Sequence, residues 1–492
     1  MTAGTERQDL GTTAARAVMW NYLSFASGKV LVLVTLAVLA RLLTPEEFGI
    51  VGFATLALAY LAVLKDLGLG GALIQRRGDI EEASHTVYTL NLALAAVLTA
   101  VTAASAPLVA AFFDEPLVTP ILRVLSFTFV IEALGSVHLV LLARRLDFKR
   151  KLVPDVGRAV VKGAVAITTA ALGMGVWALV WGQLAGVAAS AILVRLVVAW
   201  RPQLRVRRHL VRPMLGFGMP LVAVDIQHAA WANLDYVVIG RFLGSEALGI
   251  YTLAYRLPEL LIQSIWRVVA RTAFPFFSSL QGSPDLLRKG FLKTIRYSQL
   301  AVVPLGLGLI ITAEPAVATL FGDQWGDAVP ILQVLALFTL IASIGDNAGD
   351  VYKAIGRPGI LAKLGFANLV VLVPALVLAA PHGLVAVAWA HAGVAFADAF
   401  ARLLVARHLI GATFRDVARE LVPAYRAGTA MVAVALPLLW ALSDAGDVAR
   451  LAVTTAAGAV TYLAVLLRWS PDDLRRIAGW VGFGRSTGKG AA

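Results

Sequence analysis

Residues 41–50 read RLLTPEEFGI and residues 241–250 read RFLGSEALGI, and this near-repetition decides the fold. The residues that recur unchanged 200 positions later are Arg41, Leu43, Glu46, Gly49 and Ile50. Each copy predicts a tight corner between two helices, because Thr44 and Ser245 are suited to cap the helix that follows. One corner that returns so late in the chain indicates an internal duplication.

A second pair of segments supports the duplication. Residues 120–125 read PILRVL and residues 330–335 read PILQVL, and at the same interval of 210 residues Gly135 matches Gly345. The copies would each contain six helices, an even number, so both begin on the same side of a membrane. Parallel repeats of this kind are typical of transporters, which hold their substrate where the two repeats meet.

The composition predicts a membrane protein. Hydrophobic residues make up 59% of the 492-residue chain, charged residues make up 15%, and the mean hydropathy is +0.79. Soluble domains contain less apolar and more charged sequence. The chain has no cysteine, which excludes disulfides, thiolate catalysis and cysteine-based metal sites. We attribute the net charge of +13 to basic loops beside anionic lipid rather than to nucleic-acid binding.

Fourteen stretches are long enough to cross a bilayer, since a helix needs about 20 apolar residues to do so. Their approximate limits are 17–43, 48–74, 85–112, 118–142, 153–173, 176–199, 214–240, 247–275, 291–313, 328–352, 360–380, 383–406, 421–442 and 448–468. Backbone groups in lipid must be paired within the protein, so these spans are helices. The predicted fold class is an all-α polytopic membrane protein with about 14 transmembrane helices.

The two copies and their flanks predict the domain organisation. The parts are a cytoplasmic tail (1–16), a six-helix N-lobe (17–200), a basic interlobe linker (201–213), a six-helix C-lobe (214–407), a second linker (408–420), two peripheral helices (421–468) and a tail with a short interfacial helix (469–492). Alternate connections differ in charge: residues 143–151 and 200–213 are rich in arginine, whereas residues 113–120 and 321–330 are acidic. The positive-inside rule therefore predicts that both termini are cytoplasmic.

The eighth span carries the densest row of polar residues. Its members, spaced by three or four residues, are Arg256, Glu259, Gln263, Arg267 and Arg271. Such spacing predicts one helix face, and an ionisable residue within a span costs about 2.5–3.5 kcal/mol on insertion scales. We expect a wet, cationic cavity suited to an anion such as a phosphate. Alternatively, Glu259 pairs with Arg256 as an internal contact and Arg271 extends towards the interface.

Other spans add polar groups to the predicted cavity. The first span holds Asn21, Ser24 and Lys29. The amide and hydroxyl side chains of Asn21 and Ser24, together with the amide of Gln263, are candidates for contact with a sugar. Candidate acceptors for a coupling ion or proton are Asp66, Asp225, His228, Asp235 and Glu259; His228 is equally well explained as a satisfied interior histidine. The charged residues of the fifth, tenth and twelfth spans lie near cytoplasmic ends, where we expect a solvated mouth or salt bridges between the lobes.

Motifs for other chemistries are missing from the sequence. The tail reads GRSTGKG, but a P-loop requires serine or threonine after the lysine, and here glycine follows it. Hydrolase, metalloprotease and EF-hand patterns do not occur, and the seven histidines are scattered. We therefore expect a protein that is not an enzyme, has no metal site and no cofactor, and is driven by an H⁺ or Na⁺ gradient or by consumption of its product.

Residues 41–77, RLLTPEEFGIVGFATLALAYLAVLKDLGLGGALIQRR, and the loop LARRLDFKRKL at residues 142–152 resemble the polysaccharide-transporter branch of the multidrug/oligosaccharidyl-lipid/polysaccharide (MOP) exporter superfamily. The resemblance implies a flippase that moves undecaprenyl-pyrophosphate-linked oligosaccharides across the bacterial inner membrane for O-antigen, capsule, exopolysaccharide or teichuronic acid assembly. It implies two six-helix lobes in a V shape that rock around a central cavity. It also implies roles in that cavity for Lys29, Asp66, Arg267 and Arg271; Arg256 is added by its spacing.

Several other functions remain open. Lipid II flippases of the same superfamily usually carry arginines in the first helix, whereas this helix has Lys29 in its interior and arginine only at Arg16 and Arg41. An ion-coupled drug exporter would need an acidic cavity. A glycosyltransferase or polymerase would need a large soluble loop with paired carboxylates. A non-transport component of a glycan-assembly complex would not need buried charge. Polysaccharide polymerases and glycosyltransferases are candidate partners.

Overall fold

The computed structural model describes residues 29–263 and 273–480. Every regular element in those two ranges is helical. The helices are α1 (29–42), α2 (Pro45–Ala62), α3 (Leu69–Gln75), α4 (Ile80–Phe113), α5 (Val118–Arg144), α6 (Phe148–Ala171), α7 (Trp177–Val197), α8 (Arg208–Pro258), α9 (273–279), α10 (Pro284–Ile311), α11 (Ala313–Leu320), α12 (Ala328–Ala354), α13 (Gly359–Ala379), α14 (Leu384–Ile410), α15 (Phe414–Ala441), α16 (Asp447–Trp469) and α17 (Pro471–Trp480).

Ten helical stretches in the described ranges are long and apolar enough to cross a membrane. This number is smaller than the fourteen predicted spans, and the difference has identifiable causes. The first predicted span is described only from residue 29, and α2 ends at Ala62, within the second. Helix α6 is long enough but carries a cluster of charged residues. The continuous stretch Arg208–Gln263 contains the seventh span and the start of the eighth.

The first predicted corner is formed by a capping box. The Thr44 hydroxyl accepts a hydrogen bond from the Glu47 backbone N–H at 3.3 Å, and the Thr44 N–H donates to the Glu47 carboxylate at 2.8 Å. In the second copy the chain turns at Gly244, whose φ of 85° interrupts α8. The Ser245 side chain has no hydrogen bond to any described residue, so the predicted second cap is not observed. Glycine conformation forms that corner instead.

The two copies of the decapeptide pack directly against each other. A Cβ atom on Gly49 would lie 1.7 Å from the Ser245 carbonyl oxygen, and one on Gly249 would lie 1.8 Å from the Pro45 carbonyl oxygen. Gly49 is equivalent to Gly249 in the repeat, and Pro45 is equivalent to Ser245, so the contact is reciprocal. A reciprocal contact is what a local twofold relationship produces. Only glycine allows backbones to approach so closely at these two positions.

The second repeated segment also makes matched contacts. The chain divides into a first unit, Met1–Gly249, and a second unit, Ile250–Ala492. In the first unit α5 packs on α4 and α7, and in the second unit α12 packs on α10 and α14. A Cβ on Gly135 would lie 3.1 Å from the Ala191 Cα, and one on Gly345 would lie 2.7 Å from the Ala399 Cα. The repeat in sequence therefore corresponds to a repeat in helix packing.

Two of the prolines within helices, Pro107 and Pro304, leave carbonyl groups that a neighbouring helix satisfies. A proline has no N–H to donate to the carbonyl four residues earlier, and an unpaired carbonyl in lipid is costly. Pro107 leaves the Ala103 carbonyl oxygen, which accepts from the Arg123 Nε at 3.4 Å. Pro304 leaves the Leu300 carbonyl oxygen, which accepts from the Tyr462 hydroxyl at 2.9 Å. These bonds hold α4 to α5 and α10 to α16.

Arg296 of α10 forms a salt bridge with the last described helix, α17. Arg296 of α10 donates from Nε and Nη2 to the Asp473 carboxylate of α17, the shorter contact being 2.6 Å. Its Nη1 donates to Glu420 of α15 at 3.1 Å. Such a bidentate contact is the strong form of hydrogen bonding between arginine and a carboxylate. The amphipathic terminal segment therefore docks through buried charge as well as through apolar contacts.

Arg296→Met is expected to loosen α17 and lower the thermal stability of the purified protein. Truncating one partner of a buried ion pair costs about 3–5 kcal/mol, and we expect the lower end because the Arg296 side chain is 27% exposed. The measurement is thermal unfolding in detergent together with protease sensitivity of the C-terminus. Arg475→Met is the matched control, since its pair with Asp472 is 80% exposed. Equal stability of the two variants would contradict the role of Arg296 in holding α17.

Candidate functional site

A polar cavity of about 150 Å³ lies inside the first unit. It is bounded by α4, α5, α6 and α7 and by the turn that follows α2. The residues with polar side chains in its lining are Lys65, Asp66, Asn91, Glu132, Ser136, Arg158 and Ser190. A cavity with this lining and volume holds several waters, because one water needs roughly 10–15 Å³. Apolar helices thus border a cavity that is lined by charged side chains and has room for water.

Glu132 is the centre of the charged network in this cavity. Its Oε2 lies 3.3 Å from the Lys65 Nζ, and its Oε1 lies 3.3 Å from the Arg158 Nη1. The carboxylate therefore connects the turn after α2, helix α5 and helix α6. The Glu132 side chain is 29% exposed and the two basic side chains more so, which leaves all three accessible to water or to a ligand. A carboxyl group within a membrane-spanning helix is costly without such partners.

Asn91 contributes an incompletely paired amide. It is 3% exposed, and its Nδ2 donates to the Ser136 hydroxyl at 3.3 Å. Its Oδ1 is buried and has no hydrogen-bond partner among the described residues. Buried polar atoms are normally paired with protein or with water. Asn91 therefore contributes an amide to the lining, although its Oδ1 is closed to solvent.

Asp66 is the one predicted site residue that the structure brings to this cavity among the side chains it describes. Its Oδ1 accepts a hydrogen bond from the Gly68 N–H at 2.9 Å. Gly68 has a φ of 72°, a left-handed conformation that suits glycine. The DLGLGG segment thus holds Asp66 in a fixed turn beside the cavity.

The predicted polar row of the eighth span is only partly described. Arg256 donates to Glu259 at 2.9 Å, so the internal ion pair considered as an alternative is present. Gln263 donates to the Tyr255 hydroxyl. Residues 259–263 are π-helical, so the α-helical spacing that predicted a single face does not hold across this segment. Arg267 and Arg271 lie outside the described residues.

The candidates in the first and seventh spans do not line the cavity where their side chains are described. Lys29 is partly buried at the start of α1, while Asn21 and Ser24 lie outside the described residues. The side chain of His228 also lies outside them. In α8, Asp225 is exposed. Asp235 is 3% exposed, and its Oδ1 accepts from the Tyr236 N–H at 3.0 Å.

The charged groups of the tenth and twelfth spans pair within the second unit. Arg402 of α14 lies 2.7 Å from Asp398 of the same helix and 3.6 Å from Asp346 of α12. The Arg402 and Asp398 side chains are each 15% exposed. The three partly buried residues all lie in the predicted C-lobe, so these contacts are not the predicted salt bridge between the lobes. The position of these residues is explained by the close packing of α12 on α14 around Gly345.

Pattern analysis did not select Lys65, Asn91 or Glu132. Lys65 and Asn91 have no partner at helical spacing. Glu132 did carry a signal, because it is the one charged residue between Arg123 and Arg144 in an apolar span. An ionisable residue inside a membrane helix is a site candidate by default.

Comparisons with known proteins cover most of the chain. The family model described as "Polysaccharide biosynthesis protein" matches residues 38–330. The chain is 28% identical to the teichuronic acid biosynthesis protein TuaB of Bacillus subtilis, over 93% of this chain and 96% of that one. It is 29% identical to the succinoglycan biosynthesis transport protein ExoT of Rhizobium meliloti, over 71% of each.

Solved structures share the fold at low sequence identity. The lipid II flippase MurJ in an inward closed conformation superposes with a TM-score of 0.74 at 12% identity, covering 93% of this chain and 100% of that one. An inward-facing multidrug resistance transporter of the MATE family, a member of the MOP superfamily, gives a TM-score of 0.63 at 19% identity, covering 78% of this chain and 95% of that one. The family match establishes that this multi-pass membrane protein belongs to the polysaccharide biosynthesis protein family, and the two solved structures show which fold it shares.

Proposed function

We propose that the protein is a flippase that carries polyprenyl-pyrophosphate-linked oligosaccharides from the cytoplasmic to the outer face of the bacterial inner membrane. The observation that carries the proposal is the cavity with charged lining among α4–α7 in a chain of apolar helices. Family membership adds support, since ExoT is described as a transport protein and TuaB as a biosynthesis protein for teichuronic acid.

A polar headgroup needs such a cavity to cross the membrane. Its hydroxyls and charges would lose their water without replacement in hydrocarbon. Protein donors and acceptors replace that water, while the prenyl chain stays in lipid. In this mechanism the lobes at residues 17–200 and 214–407 rock and expose the headgroup on alternate sides. The two helices at 421–468 are peripheral, and both termini face the cytoplasm.

The pyrophosphate is assigned to the basic residues of the first and eighth spans. Lys29, Arg267 and Arg271 bind it in this proposal, with Arg256 as a further cation that Glu259 holds at 2.9 Å. Arginine suits a phosphate because its planar fork donates two parallel bonds. Asn21, Ser24 and Gln263 contact the sugars. An H⁺ or Na⁺ gradient drives the cycle through acidic residues, with Asp66, Asp225 and Asp235 as acceptors.

Reconstitution in liposomes tests this function. The purified protein is expected to move a fluorescent polyprenyl-pyrophosphoryl oligosaccharide between leaflets, measured by protection of the label from a membrane-impermeant quencher. Arg267→Ala with Arg271→Ala is expected to slow the movement at least tenfold, because each charged hydrogen bond to phosphate contributes about 1.5–3 kcal/mol. Cells that carry the double variant should accumulate lipid-linked oligosaccharide inside.

The control is Arg475→Met, a highly exposed arginine on α17. It should move the lipid at the same rate as the unchanged protein. Failure of the unchanged protein to move any lipid-linked glycan, in liposomes that keep it folded, would overturn the proposed function. Unchanged transport in the double variant would overturn only the assignment of the pyrophosphate to Arg267 and Arg271.

A further inference from the structure

We propose that the cavity of the first unit is a subsite for one uncharged, hydroxyl-bearing sugar ring of the transported glycan. The inference rests on the proposed function and adds a binding site to it. The site consists of residues that the pyrophosphate assignment does not use. Its core is Glu132 with Lys65 and Arg158, supported by Asn91 and Asp66.

Among the described residues that line the cavity, the charges cancel. Lys65 and Arg158 are cations, and Glu132 and Asp66 are carboxylates. A phosphate here would face two carboxylates, and an organic cation would face two basic groups. A sugar hydroxyl both donates and accepts, so it can bond to either kind of group without net charge. The lining therefore favours a neutral polar ligand over an ion of either sign.

Asn91 and Ser136 add uncharged polar groups to the lining. The Asn91 Nδ2 donates to the Ser136 hydroxyl at 3.3 Å, which keeps the amide in place. The Asn91 Oδ1 is itself closed to solvent, so the subsite does not depend on that atom. An amide and a hydroxyl each donate and accept, which suits a hydroxyl-bearing ligand.

The cavity also has an apolar wall and a limited size. Phe129, which is 4% exposed, and Leu139 line it beside the polar groups. Sites for organic ligands combine such apolar walls with a few polar groups that fix orientation. A sugar ring presents both kinds of surface. A volume of about 150 Å³ has room for several waters, which is comparable to the size of a single sugar ring.

Binding to purified protein in nanodiscs tests the subsite separately from transport. The probes are bare undecaprenyl pyrophosphate and undecaprenyl-pyrophosphoryl monosaccharides that carry glucose, galactose or N-acetylglucosamine. The unchanged protein is expected to bind at least one sugar-bearing lipid more tightly than the bare lipid. Glu132→Gln and Asn91→Leu should each reduce that sugar-dependent gain about three- to tenfold, the value of a lost hydrogen bond, and leave bare-lipid affinity unchanged.

Lys162→Met is the matched control. Lys162 lies four residues after Arg158 on α6, but it donates to Gln183 at 2.7 Å and is absent from the cavity lining. It should leave the binding of every probe unchanged. Thermal unfolding of each variant shows whether the protein used for binding is folded. Glu132→Gln and Asn91→Leu are made separately, so the test still stands if one of them does not fold.

The outcomes separate this inference from the proposed function. Selective loss of the sugar-dependent gain supports the subsite. Equal changes for bare and sugar-bearing lipids would show that the cavity binds phosphate, and no change in either would show that Glu132 and Asn91 are structural; both results overturn the subsite. A protein that fails to flip lipid-linked glycans in liposomes, yet binds them selectively, would overturn the function and leave the subsite standing.

Discussion

Gly49→Ala is expected to lower the stability and glycan export of this protein severely, although it adds a single methyl group. The new Cβ would lie 1.7 Å from the backbone oxygen of Ser245. No rotamer change relieves a collision with backbone, so the two copies of the decapeptide must separate. Overpacking a well-packed core costs about 1–3 kcal/mol, and we expect this collision to reach or exceed the upper value.

The reciprocal geometry gives this prediction two controls. Gly249→Ala should have the same effect, because its Cβ would meet the Pro45 oxygen at 1.8 Å. The double variant should be little worse than either single one, since both separate the same contact and contacting sites are not additive. Gly52→Ala, one turn along α2, should be mild because its Cβ would meet only the Leu248 side chain at 3.0 Å.

Thermal unfolding in detergent and glycan export in cells measure these effects. Additive losses in the double variant would show that the two glycines act at independent places. A Gly49→Ala protein as stable and active as Gly52→Ala would contradict the contact itself.

Arg402→Met is expected to be the second severe change. Arg402 is the partner of Asp398 at 2.7 Å and of Asp346 at 3.6 Å, and its own side chain is 15% exposed. Its removal leaves two carboxylates in the membrane-embedded second unit without this cation. Breaking a buried pair by removing one partner costs about 3–5 kcal/mol. The purified variant should unfold at a clearly lower temperature, and less of it should reach the membrane.

A second substitution tests whether uncompensated charge is the cause. Asp398→Asn in the Arg402→Met background should restore part of the stability, because it removes one of the carboxylates. Arg407→Met, an exposed position on the same helix, should be neutral. If Asp398→Asn made the double variant worse than Arg402→Met alone, the loss would come from packing and not from charge.

Helix existence was well predicted because hydrophobic length is a local property. Predicted spans three, four, six and nine through fourteen each correspond to one helix among the ten that are apolar enough to cross a membrane. The corner at Thr44 was predicted in detail, since a capping box uses residues three positions apart. The matched positions Gly135 and Gly345 were recognised as equivalent, and each proves to be a close approach between helices.

The candidate site was predicted less well because it joins residues that are distant in sequence. Glu132 bonds to Lys65, 67 positions earlier, and no spacing rule connects them. The row from Arg256 to Gln263 was read on a uniform helix, but the chain is π-helical from Glu259 to Gln263. The assignments of Lys29, Arg267 and Arg271 to the pyrophosphate remain predictions.

Apolar length, loop charge and repeated motifs are properties of the linear sequence. The sequence alone therefore predicts a helical membrane protein with an internal duplication. Only the tertiary structure decided which polar groups meet. Glu132 lies between Lys65 and Arg158, Arg296 holds α17, and Gly49 lies against Ser245. Each of these contacts depends on the packing of helices that are far apart in the chain, where small distances decide whether charges pair or backbones touch.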